Sequence, residues 1–150
     1  MNTLLDTNIL IRAAQPGHPM HATAADAVDA LHRRGNHLFL MPQNLYEFWV
    51  VVTRPIAQNG LGFTPSQARS EIDQLKKLFT LLDETPSIFP AWEHLVTSYA
   101  VSGKTAHDAR LVAAMQVHGI AQLLTFNIAD FQRFTSITVL DPAVVVASSP

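Results

Sequence analysis

The sequence predicts an α/β protein with a mostly parallel central sheet flanked by helices. Three observations carry this. Short apolar runs without polar alternation, Thr3-Leu4-Leu5, His37-Leu38-Phe39-Leu40 and Ala121-Gln122-Leu123-Leu124-Thr125, have the character of strands covered on both faces. Helix-length segments with recognisable start and stop residues lie between them. Strand and helix then alternate along the chain, and crossovers of that kind run right-handed between parallel neighbours.

In order, Thr3–Leu5 is the first strand, and the alanine-rich segment from His21 to Leu31 is a helix that gives out near Gly35. His37–Leu40 is the second strand. Pro42 occupies a first-turn position of a helix that runs to Thr53 and stops before Pro55. Thr64 is placed to cap a helix from Pro65 to Leu78. Phe79–Leu82 is a weaker strand. Pro86 to Val101 reads as a helix ending at Gly103, and His107 to His118 as one stopped by Gly119. Ala121–Thr125 is the third clear strand and Ile137–Leu140 a second weak one. A frayed tail is expected from Ala147 to Pro150. There is no repeat, linker or low-complexity stretch, so residues 1–150 form a single domain.

Apolar residues make up 48% of the 150 and charged residues 15%, a globular balance. The absence of cysteine excludes disulfides, thiolate zinc sites and cysteine nucleophiles. The opening MNTLLDTN has neither the basic flank nor the apolar stretch of a signal peptide, and no apolar run approaches the ~20 residues of a membrane span. A soluble, cytoplasmic protein without membrane contact is expected. The net charge of −2 speaks against a general nucleic-acid binder. It does not exclude an enzyme whose acidic site carries cations, because a bound ion reverses the local field. The ten Lys and Arg are scattered, and the adjacent pairs Arg33-Arg34 and Lys76-Lys77 read as solvated helix faces.

Several acids stand where acids are costly or where ligands collect. Asp6 follows the first strand directly, and in parallel sheets ligands gather beyond the carboxyl ends of strands, although helix capping explains an Asp there equally well. Glu47 lies in Gln43–Val52, a segment apolar nearly all round and therefore expected to be buried. A buried carboxylate requires a cation or a proton. Asp108 opens its helix, where it also suits the macrodipole. Asn127 and Asp130 follow the last clear strand, in a place that turn chemistry alone could account for. Oxygen donors without cysteine or a histidine pair at zinc spacing select Mg²⁺ or Mn²⁺. His18 and His21 fall in a Pro/Gly-punctuated loop and read as surface residues.

The string Leu4-Leu5-Asp6-Thr7-Asn8-Ile9-Leu10 closely resembles the opening of PIN domains, particularly the VapC-like toxins of bacterial toxin–antitoxin pairs. Three further blocks follow in that family's order: Asn44-Leu45-Tyr46-Glu47-Phe48, the run from His107 to Ala114, and the run from Leu124 to Phe131. Each is short; four in order across essentially the whole chain carry the signal. The resemblance implies a three-layer α/β/α PIN-like fold and a homodimer. It also implies that Asp6, Glu47 and Asp108 gather around Mg²⁺ or Mn²⁺. The family's fourth acid generally follows the Thr of the last block, where this chain has Asn127. That departure leaves the fourth position between Asn127 and Asp130, with one ion rather than two expected.

The implied activity is hydrolysis of RNA phosphodiester bonds by metal-activated water. Asp6 and Asp108 would be the main ligands, and Glu47 would complete the shell or act through water. Thr7, Asn8 and Thr125 would stand behind the carboxylates and orient them. The implied partners are RNA and a small VapB-like antitoxin. Two other readings compete. A PIN-like binding module that has lost catalysis would work through a protein partner. A haloacid-dehalogenase-like phosphatase would want a second Asp two residues after the first, and that place holds Asn8.

Overall fold

The computed structural model describes residues 1–148. Its five strands are β1 (Asn2–Leu5), β2 (His37–Leu40), β3 (Thr80–Leu81), β4 (Gln122–Leu124) and β5 (Thr138–Leu140). They form one sheet in the order β3-β2-β1-β4-β5, every pair parallel. Eight helices flank it: α1 (Thr7–Ala13), α2 (His21–Arg33), α3 (Pro42–Thr53), α4 (Pro65–Leu78), α5 (Ile88–Ser98), α6 (Thr105–His118), α7 (Ile128–Phe131) and α8 (Pro142–Ala147). The α/β class, the parallel sheet and the three layers expected from sequence are all present.

The layering follows from the pleat. In β1, Leu4 joins a core with α5, α6 and α7, while Leu5 joins the opposite core with α1, α2, α3 and α8. Leu123 and Leu124 of β4 divide between the same two cores. Successive side chains point to opposite faces, so a strand covered on both must be apolar throughout. Small residues let the helices approach: Ala24, Ala27 and Ala30 of α2 and Ala109, Ala113 and Ala114 of α6 are all buried.

The chain builds outward from β1 through β2 to β3, then crosses to the other side for β4 and β5. The strand order therefore reverses between β1 and β4, and a crevice opens there at the carboxyl ends, as in other open parallel sheets.

Some boundaries differ from expectation. Helix α7 arises in a segment read as a turn, and α8 spans Pro142–Ala147, of which only Ala147 belongs to the expected tail. Asp141 caps α8 by accepting from the Ala143 N–H at 2.9 Å, and Arg34 donates to the Val145 carbonyl at 2.9 Å. Arg34 is thus a tie between α2 and α8, not only a solvated charge. Within the tail expected from Ala147, Ala147 closes α8 and the Ser148 hydroxyl donates to the Val144 carbonyl. Residues 149 and 150 of that tail lie outside the described residues. Helix α6 begins at Thr105, two residues before the expected start at His107.

Helix α5 ends at Ser98 rather than near Gly103, because Ala100 takes the left-handed conformation at φ 50°. Val101 N–H then donates back to Val96 O at 3.0 Å and Ala100 N–H to Thr97 O at 3.4 Å. This is a Schellman closure, with Val96 and Val101 both against the α5–α6 core. Glycine normally fills that position, since the left-handed region costs an L-residue roughly 1–2 kcal/mol. Ala100→Gly is therefore expected to raise the unfolding free energy by up to about 1 kcal/mol in urea melts, after glycine's own entropic cost; a loss of stability would contradict the assigned cap.

Candidate functional site

Asp6 stands at the reversal point. Its N–H donates to Leu124 O at 3.0 Å, carrying the β1–β4 ladder one residue past the strand, and α1 begins at the next residue. Its carboxylate is almost closed off from water, the residue being 7% exposed. Oδ1 accepts the Thr7 N–H at 2.8 Å and Oδ2 accepts the Thr125 hydroxyl at 2.7 Å, with a longer contact from Asn8 Nδ2 at 3.4 Å. Capping and site-forming thus coincide in this side chain. Burial pushes its carboxyl up to about 6; the bonds from Thr125 and Thr7 pull it back, and Glu47 and Asp130 add to the rise.

Thr125 is held from three sides. Its oxygen accepts the Asn127 N–H at 2.9 Å and Asn8 Nδ2 at 3.3 Å, which leaves its one proton for Asp6. Asn8 Oδ1 in turn accepts the Phe126 N–H at 3.3 Å, locking the end of β1 to the loop after β4. The Asn127 and Asp130 side chains stand exposed at the rim, and the Asp130 charge is felt at both Asp6 and Asp108.

Glu47 enters from α3 on a second relay. Asn44 is fully buried; its Oδ1 accepts the Met41 N–H at 2.8 Å and its Nδ2 donates to Thr7 Oγ1 at 3.2 Å. The Thr7 hydroxyl then donates to Glu47 Oε1 at 2.8 Å. The expectation that α3 is buried all round does not hold: Tyr46 is 64% and Val50 58% exposed, and Glu47 is half-buried at the crevice rim. Apolar composition overstates burial for this helix because Tyr46 and Val50, one turn apart, share an outward stripe. The deeply desolvated acid is Asp6.

Asp108 lies in the first turn of α6. Burial and then the neighbouring Asp6, Asp130 and Glu47 charges push its carboxyl up to about 7. The start of α6 is tied to α3 by Gln43, a buried amide whose Nε2 donates to the His107 carbonyl at 2.9 Å and whose Oε1 accepts from Arg110 at 3.1 Å. Arg110 also meets Glu84 at 3.0 Å. Sequence alone does not single out Gln43 and Asn44 as site residues. Their signal was two adjacent amides opening an otherwise apolar helix, which pays off only if both are satisfied inside.

Asp6, Glu47, Asp108 and Asp130 thus share one field, which raises the proton affinity of Asp6 and Asp108. The donors are all oxygen, the set a hard divalent cation takes, and a cation would relieve the repulsion. Among the described residues no three acids already form a coordination shell. The site fits such an ion through charge and donor chemistry.

The PIN domain family profile matches residues 3–136. The chain is 26% identical over 144 residues to ribonuclease VapC48 of Mycobacterium tuberculosis, covering 95% of this chain and 98% of that protein. Among solved structures, VapBC2 from Rickettsia felis bound to a promoter DNA fragment superposes with a TM-score of 0.71 at 18% identity, covering 93% of this chain and 98% of that one. VapBC-1 from nontypeable Haemophilus influenzae gives 0.71 at 17% identity, with 95% and 99% covered. At these identities the structures speak for the shared fold.

Asp108 holds its proton up to about pH 7 when folded but ionises near 3.8 once unfolded. Folding stability therefore falls as pH climbs between those values and stays low above them. In EDTA, Asp108→Asn is expected to stabilise the protein at pH 8 by about 1–2 kcal/mol, discounted for partial exposure, and to leave it unchanged near pH 4. A gain of equal size at both pH values in denaturant melts would show that the charge is not responsible.

Proposed function

The chain belongs to the PIN-domain family, and we propose that it is a Mg²⁺- or Mn²⁺-dependent endoribonuclease, the toxin of a VapBC-type toxin–antitoxin pair. The observation that carries this reading is the pair of carboxyls, Asp6 and Asp108, held proton-hungry in one crevice at the sheet's reversal point. A structural ion pair would supply a cation from the protein; here the charges that act on both groups are further acids. Asp6 and Asp108 would hold the ion, with Glu47 completing its shell directly or through water and Asn127 or Asp130 as the fourth donor.

The ion would supply Lewis acidity toward a phosphodiester and ease ionisation of a water. The chain's own residues supply orientation. Thr125 and the Thr7 N–H fix the two Asp6 oxygens, while the Asn44–Thr7 relay aims Glu47 into the crevice. Gln43 sets where Asp108 emerges. RNA as substrate is supported by the resemblance to ribonuclease VapC48. A VapB-like antitoxin partner is supported by the VapBC complexes that share the fold. A homodimer in the cytoplasm is the assembly we propose. Among the described residues no helix is long and apolar enough to cross a membrane.

Purified protein is expected to cleave total RNA only with Mg²⁺ or Mn²⁺ present. Asp6→Asn and Asp108→Asn should each abolish cleavage while keeping a native circular-dichroism spectrum. Thr125→Val should cost roughly 10–100-fold, the usual scale for a ligand-orienting group. Undiminished cleavage by both Asp variants would overturn the assignment.

A further inference from the structure

A cavity of about 400 Å³ opens beside the acid crevice, between the loop after β3, the first turn of α5 and the start of α6. All strands being parallel, the end of β3 lies on the same sheet edge as Asp6. His107 lines the cavity and is the residue before Asp108; Arg110 lines it too, and both are bonded to Gln43.

Two features of the lining are unexplained by folding alone. Phe89 is 63% exposed at the mouth, its ring 5.8 Å from that of Trp92 and tilted by 32°. Trp92 is fixed, its Nε1–H donating to Ala106 O at 2.8 Å. The Thr85 hydroxyl is buried with no hydrogen-bond partner, an unusual state for a polar group. Glu84 and Arg110 add an acceptor and a donor, 3.0 Å apart.

We propose that this cavity seats one unpaired nucleobase of the RNA, guanine by preference, beside the bond to be cut. The proposal rests on the ribonuclease reading. Single-stranded bases are recognised by stacking on aromatic rings and by hydrogen bonds to their edges. Phe89 and Trp92 supply the rings. Guanine offers N–H donors that suit the Glu84 carboxylate and acceptors O6 and N7 that suit the Arg110 guanidinium. Thr85, with its unpartnered hydroxyl, lines the same cavity. With a net charge of −2 and scattered cations, the chain gains little from the phosphate backbone, so stacking carries more of the affinity.

The test is fluorescence polarisation of a labelled single-stranded RNA of about eight nucleotides, in EDTA so that nothing is cut. Phe89→Ala should weaken binding by about fivefold or more, and in Mg²⁺ should raise KM with kcat retained. Adenine in place of guanine should weaken wild-type binding, and Glu84→Ala should erase most of that discrimination, its carboxylate being the group that takes the guanine N–H donors. Affinity for Phe89→Ala within about twofold of wild type, or equal affinity for guanine and adenine RNA, would overturn the proposal. Phe89-dependent binding without any cleavage by the wild type would sink the ribonuclease reading and leave the subsite standing. RNA binding untouched by Phe89→Ala, with an antitoxin peptide's binding lost, would give the cavity to the protein partner instead.

Discussion

The Asp6 carboxylate, enclosed at the point where the strand order reverses, is the constraint on which the rest of the site depends. Two hydrogen bonds, from the Thr7 N–H and the Thr125 hydroxyl, hold its oxygens, yet they do not offset the loss of water around it. Without a cation, a carboxylate in that position holds its proton to a higher pH than an exposed one, and a bound cation favours its charged form. Thr125, Asn8, Thr7 and Asn44 are all committed to keeping that group, or its neighbour Glu47, in one orientation. Their hydrogen bonds span β1, α1, α3 and the loop after β4, so the geometry of the crevice is set by the body of the fold rather than by a mobile loop.

The sheet makes this possible. Because β1 is central and covered on both faces, its carboxyl end is dry, and a side chain emerging there is desolvated before any ligand binds. Asp108 reaches the same space from the opposite layer through the first turn of α6, braced by Gln43. Two layers thus each contribute one raised-pKa carboxyl to a common point, and Glu47 and Asp130 deepen the negative field from its rim.

Much of this was legible in the sequence, for physical reasons that differ by element. Runs such as Leu4-Leu5 and Leu123-Leu124 disclose two-sided burial directly. Gly119 marks the end of α6 because the left-handed turn favours it, whereas Ala100 hides the end of α5 by taking the same conformation without glycine. Asp6 and Asp108 were visible as acids beside strand and helix ends, and the order of the family's blocks joined them. Glu47 was overread: the apolar character of α3 concealed the outward stripe of Tyr46 and Val50, and the desolvation argued for Glu47 belongs to Asp6. Gln43 and Asn44 could not be seen, since a buried amide announces itself only through the partners that satisfy it, and those lie 64 and 37 residues away.

Protonated carboxyls at Asp6 and Asp108 should give way to a divalent cation. Titration calorimetry with Mn²⁺, repeated at pH 6.5 in buffers of different ionisation enthalpy, tests it most directly. Binding should release about one proton per ion at pH 6.5, fading to none near pH 8.5, because both groups are already ionised there. No binding, or heats independent of buffer at pH 6.5, would contradict it.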